Sequence, residues 1–174
     1  VLNTIAAALV VLSVTFEIPR ELRQGVAATL LTKSLGRTQY LAGKMVGICV
    51  AGFVICELIA AGAFLIYSQT FSERIAGTML QAQILLILSI IPMSAIAVFF
   101  ATLFPEVVAP VLTILVFWFA YSTGVLSNIP VLYGGILPNL EFFNFKSHAV
   151  YLEPIPGTYI LLATAWGIAY AVFL

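Results

Sequence analysis

The chain has 174 residues, 63% of them hydrophobic and 8% charged, with seven basic and seven acidic side chains, no net charge and a mean hydropathy of +1.16. A soluble domain is about 45–50% apolar and about 25% charged, so this composition excludes a soluble enzyme, a disordered chain and, for want of a basic face, a nucleic-acid binder. It leaves a polytopic membrane protein. No apolar run alternates with period two, and backbone groups cannot stay unpaired in lipid, so the expected fold is an all-α transmembrane helical bundle rather than a barrel.

A helix needs about 20 apolar residues to cross roughly 30 Å of hydrocarbon. Five stretches meet or approach this: about 1–16, 45–68, 79–104, 107–127 and 157–174. The first is uncharged from Val1 with no basic stretch ahead of it, and the last ends at Leu174 inside an apolar run. The sequence is therefore expected to be an excerpt of a longer membrane protein.

Residues 17–44 hold five of the seven basic residues, Arg20, Arg23, Lys33, Arg37 and Lys44. Basic loops stay in the cytoplasm, which places this segment inside. Pro19 suits a first helical turn, and Glu21 would sit near the positive end of a helix. Leu22, Val26 and Leu30 recur every four residues as an apolar stripe, with Arg23, Gln24 and Lys33 off it. This predicts a short amphipathic helix from about Pro19 to Lys33, lying on the membrane surface. Ser34 to Gly36 should break it, and a second helix should begin near Arg37–Thr38 and enter the membrane past Lys44.

In the next span Gly43, Gly47 and Ala51 form a small-residue stripe of the kind that lets helices approach closely in lipid. Packing within the subunit and a seam with a second copy are both open. Cys49 and Cys56 lie two turns apart along one helix, too far to bridge within it, and read as small apolar residues. Glu57 is the clear intramembrane charge. A carboxylate in lipid costs roughly 2.5–3.5 kcal/mol on insertion scales, so it is either a lining residue of a transport path, a proton-linked group, or a protonated Glu bonded to a neighbouring helix.

Alternation puts the 69–78 loop outside and the Phe104–Pro105–Glu106 turn inside. Pro92 interrupts the 79–104 run and should kink it. Pro105 and Pro110 flank Glu106, which should cap the start of the next helix. From 128 to 156 the chain holds four prolines, Pro130, Pro138, Pro154 and Pro156, yet stays apolar. Phe142, Phe143, Phe145 and Tyr151 suit the headgroup level, and one or two short interfacial or re-entrant helices are expected outside. His148, the only histidine, reads as an exposed polar residue. A bis-histidine haem and a histidine-rich metal site are excluded, and no metal site is expected.

The run Glu21-x-x-x-Gly25, then Leu30–Leu31, Arg37 and Gly43–Lys44, resembles a segment of the permease subunits of ATP-binding-cassette transporters of the type 2 exporter class. Leu137–Pro138–Asn139–Leu140–Glu141–Phe142–Phe143–Asn144 is similar to the external segment these permeases carry before their last helix. The chain departs from the family pattern at Val26, usually Thr, and at Ser34, usually Pro. The resemblance implies a cytoplasmic coupling helix docking on a separate ATPase subunit, with Glu21, Arg23, Gln24, Gly25, Lys33 and Arg37 as coupling residues. It also implies a second permease copy or homologue as partner, and a cargo crossing between the two by alternating access.

The chain lacks a phosphate-binding GxxxxGK[ST] loop. Thr38 stands where its first glycine would precede Gly43–Lys44, and Met45 follows the lysine. ATP and Mg are therefore expected in the partner ATPase, with no cofactor bound by this chain and no enzymatic activity of its own. With no Asp and one His, an intramembrane hydrolase is excluded. The alternative is a non-transporting scaffold or accessory subunit of a larger membrane complex. The expected location is a bacterial or archaeal cytoplasmic membrane, with several passes.

Overall fold

A computed structural model describes residues 2–25, 36–67, 73–122, 139–144 and 155–174. Among them the structure is all-helical. Helix α1 is Leu2–Arg23, α2 is Arg37–Tyr67, α3 is Glu73–Leu103, α4 is Val108–Tyr121, a 3₁₀ turn covers Leu140–Phe143, and α5 is Gly157–Phe173. Two helical stretches are long and apolar enough to cross a membrane, Thr38–Leu65 in α2 and Met79–Leu103 in α3. The apolar helices α4 and α5 are shorter, at 14 and 17 residues. At 1.5 Å per residue α4 reaches only about 21 Å, less than the hydrocarbon thickness.

α3 is the central post. It packs against α1, α2, α4, α5 and the 3₁₀ turn. Over half of its membrane-length window is buried (56%), against 17% for α2, which therefore presents most of its surface outward. Leu85, Ile90, Met93 and Ala97 of α3 meet Ala7, Val11, Val14 and Ile18 of α1 in one buried apolar cluster. Such interiors are held by close van der Waals packing. The hydroxyls inside it bond within their own helices: Thr15 to Leu12 O at 2.7 Å, Ser89 to Leu86 O at 2.6 Å, Ser94 to Ile91 O at 2.7 Å and Thr113 to Ala109 O at 2.8 Å. No buried hydroxyl among these four is left to pay for its desolvation alone.

Three expectations change. First, no helix starts at Pro19, because α1 runs through it to Arg23. The buried stripe Ala7–Val11–Val14–Ile18 keeps its helical phase against α3 up to that point, and this packing outweighs the one backbone bond a proline removes. The expected surface helix is thus, in its described part, the last turns of α1, while residues 26–35 lie outside the described residues.

Second, the glycine of α2 that packs within the chain is Gly52. A Cβ there would stand 3.0 Å from Ile90 Cδ1, whereas one at Gly43 or Gly47 would meet nothing within 4 Å. Gly43, Gly47 and Ala51 are all exposed, so the stripe faces away from the described helices, and of its two readings packing within the subunit is the one that falls. Third, Glu106 is no side-chain cap. α4 begins at Val108 with Val107 at its N-cap position and no side-chain cap, and Glu106 pairs instead with Arg20 at 3.5 Å.

Pro92 lies inside α3, which continues past it for eleven residues. A Cβ on Gly167 of α5 would lie 3.4 Å from Phe143 Cζ and 3.5 Å from Pro92 Cδ. The 3₁₀ turn therefore sits beside the middle of α5 and not at its end. Phe142 and Phe143 both approach the Trp166 ring, at 5.8 and 6.2 Å between centroids, and Tyr159 donates to Phe142 O at 2.9 Å. Phe145, His148 and Tyr151, with Pro130, Pro138 and Pro154, lie outside the described residues.

Candidate functional site

The polar end of the bundle gathers the described residues of the 17–44 segment. Glu17 and Glu21 stand four apart on α1, and Tyr40 and Lys44 four apart on α2, so each pair projects from one helix face. Lys44 Nζ donates to Glu21 Oε1 at 2.6 Å and to Glu17 Oε2 at 3.2 Å. The Tyr40 hydroxyl donates to Glu21 Oε2. Both carboxylate oxygens of Glu21 are thus engaged by α2. The result is a two-rung clamp between the end of α1 and the start of α2.

Burial raises the Glu21 carboxyl, but the hydrogen bonds from Lys44 and Tyr40 and the Lys44 charge outweigh it and hold the group below the ordinary carboxylate value. Glu21 is therefore ionised near neutrality and acts as the acceptor that ties α1 to α2. Arg20 adds a third contact at this end, reaching Glu106 in the turn between α3 and α4. With Arg20 65% exposed, that pair contributes little energy. Its value is positional, since it sets the α1 end and the α3–α4 turn side by side.

Gly25 ends α1. Its φ is +74°, and its N–H reaches Leu22 O at 3.4 Å. This is the left-handed residue that commonly closes a helix, where a Cβ is disfavoured. Open space surrounds the position, so its requirement is backbone conformation and not room. Arg23 and Gln24, immediately before it, are exposed. Of the six expected coupling residues, Glu21 faces α2, Arg23 and Gln24 face outward, and Gly25 shapes the exit from α1. Arg37 opens α2, and Lys33 lies outside the described residues. Sequence reasoning passed over Tyr40 and Glu17. The matched i, i+4 spacings of Glu17/Glu21 and Tyr40/Lys44 were the available signal.

Glu57 lies on α2 about 20 Å further along the helix than Lys44, from thirteen residues at 1.5 Å each. It is half-buried, and none of the described side chains forms a hydrogen bond or ion pair with it. Its neighbour Cys56 belongs to a polar seam on another face. Asn3 Nδ2 donates to Gln83 Oε1 at 2.8 Å, Gln83 Nε2 to Cys56 O at 3.2 Å, and Cys56 Sγ to Asn3 O at 3.8 Å. That seam pins α1, α2 and α3 together. Cys49 and Cys56 are both free thiols. Among the described residues no group of three His, Cys or Glu side chains is placed to hold a metal ion.

Comparison with known proteins gives one family. The model for the C-terminal domain of the multidrug efflux system permease Rv1217c matches residues 1–173. No curated protein and no solved structure matches the chain.

Proposed function

Since the chain belongs to this family of multidrug efflux permease C-terminal domains, we propose that it is a membrane-spanning part of an ATP-binding-cassette exporter whose ATPase is a separate chain. In this reading the segment following α1 docks on the ATPase at the cytoplasmic face. Nucleotide-driven closure of two ATPases pushes that segment. A second permease unit completes the path, and cargo crosses by alternating access in a multi-pass bacterial or archaeal cytoplasmic membrane.

The observation that carries the reading is the clamp. A docking segment transmits force only if it is rigidly joined to the spans. Glu21, held by Tyr40 and Lys44, joins the end of α1 to the start of α2, so a push between them moves both helices. The exposed Arg23 and Gln24 are then free to make charge-assisted contacts with a partner. Glu21 acts within the permease as a positioning residue and leaves the ATPase surface to its neighbours.

The test is copurification of the full-length permease with its ATPase, followed by ATP-driven transport in proteoliposomes. Arg23→Glu should weaken ATPase association about tenfold and leave the thermal stability of the permease unchanged. Glu21→Lys should keep the ATPase bound but lower cargo moved per ATP hydrolysed. If no ATPase with a phosphate-binding loop associates with the permease, the reading is wrong.

A further inference from the structure

Arg20 and Glu106 form a charged pair outside the clamp, at the edge of the apolar surface of the bundle. Ile5, Leu9, Phe16 and Arg20 fall on one stripe of α1, and all four are exposed. Arg20 is the first charge along that stripe, and Arg23 stands one turn further on. Glu106 follows the membrane-length stretch Met79–Leu103 by three residues, which sets the pair just past the hydrocarbon, at the level of lipid headgroups. Val107 and Val108, next in the chain, are exposed apolar side chains. Arg20 Nη2 and Glu106 Oε1 are 3.5 Å apart, against about 2.7–2.9 Å for a charge-assisted hydrogen bond. Neither side chain makes another hydrogen bond or ion pair among the described residues. The guanidinium therefore keeps most of its donors, and the carboxylate most of its acceptor sites, for a third group.

We propose that Arg20 and Glu106 together hold the headgroup of a zwitterionic phospholipid with a primary ammonium, as in phosphatidylethanolamine. The phosphate sits on Arg20, whose planar fork matches its oxygens. The ammonium donates to Glu106, and an acyl chain follows Phe16, Leu9 and Ile5 along α1. The two charges of this headgroup are joined by a short two-carbon link, so one lipid reaches both partners of an open pair. The pair is neutral as a unit, as is the headgroup. A choline headgroup carries the same charges but has no N–H to give Glu106. An anionic headgroup such as glycerol phosphate brings no cation and sets its phosphate beside a carboxylate. Arg20 therefore supplies phosphate affinity, and Glu106 selects the amine. The bound lipid bridges the end of α1 and the α3–α4 turn more firmly than the bare contact does.

The experiment uses the full-length permease in detergent, titrated separately with phosphatidylethanolamine, phosphatidylcholine and phosphatidylglycerol of identical acyl chains. Retained lipid is counted by native mass spectrometry, and Tm is followed in parallel. Phosphatidylethanolamine should bind about tenfold more tightly than either of the others and give the largest rise in Tm. Glu106→Gln should reduce its binding to the phosphatidylcholine level and leave phosphatidylcholine unchanged. Arg20→Gln should weaken both by several-fold. The two variants lose the same ion pair, so these different lipid signatures separate a headgroup site from a purely structural contact. Equal loss of every lipid in both variants overturns the proposal. So does wild-type protein that retains phosphatidylcholine or phosphatidylglycerol as well as phosphatidylethanolamine, or a preference that survives Glu106→Gln.

Discussion

Replacing Lys44 by Met and Glu21 by Gln, singly and together, measures the joint between α1 and α2. The Lys44–Glu21 contact is short, 2.6 Å, with side chains 24% and 26% exposed. The Lys44–Glu17 contact is longer, 3.2 Å, and Glu17 is 57% exposed. An exposed ion pair contributes about 0.2–1 kcal/mol, and a hydrogen bond to a charged group about 1.5–3 kcal/mol. Three-quarters buried, the Glu21 rung falls between these at about 1–2 kcal/mol, and the Glu17 rung adds only a few tenths. Lys44→Met also leaves two carboxylates four residues apart on one helix face without their shared cation. For a chain of this size the loss corresponds to a fall of roughly 2–8 °C in Tm. Thermal unfolding of the four proteins in detergent, closed as a double-mutant cycle, should give a coupling energy of about 1 kcal/mol. Effects that add to within about 0.3 kcal/mol would refute the clamp.

The same carboxylate sets a pH dependence. Glu21 is held below its ordinary value of 4.5 in the fold. Its contribution is therefore full above that value and declines as pH falls through it toward the folded value. The Tm gap between wild type and Glu21→Gln should be constant from about pH 8 to 6 and shrink toward pH 4, and a gap that widened on acidification would contradict the assignment. Gly25→Ala should cost about 1 kcal/mol through its positive φ alone, and Gly25→Asn less, since asparagine tolerates this conformation. Equal stability of the Gly and Ala forms would show that the turn is not held in that conformation. Gly52→Leu should push α2 from Ile90 and cost about 1–3 kcal/mol, while Gly47→Leu, which meets nothing within 4 Å, should leave the Tm of the isolated chain unchanged. The reverse order would invert the assigned faces of α2.

Much of the architecture is legible in composition and run length. The long apolar stretches became α2 and α3, the Phe104–Pro105–Glu106 turn separates α3 from α4, and the start of α2 falls at Arg37 as expected. Periodicity served less well near Pro19. A proline before an amphipathic stripe signals a helix start only when nothing upstream holds the preceding turn. Here Val11, Val14 and Ile18 are packed on α3, a contact between residues some 80 apart in the chain that no local pattern encodes. The reading of the small-residue stripe as packing within the subunit failed for a related reason. Gly43, Gly47 and Ala51 have the spacing for close packing, but spacing does not say which side of a helix a neighbour occupies, and the neighbour lies on the Gly52 side.

Sequence alone determined the solvent and the element type, because 14 charges spread over 174 residues leave no route to a water-soluble fold and lipid demands internally bonded backbone. It also located the polar segment on which the functional argument turns. Only the tertiary structure decided what Glu21 does there. A carboxylate on a basic segment has many available partners, and choosing Tyr40 and Lys44 over an external protein required that α1 and α2 lie side by side in a register that brings two i, i+4 pairs face to face. That register is set by apolar packing along α3, deep in the bundle and away from the charges it aligns.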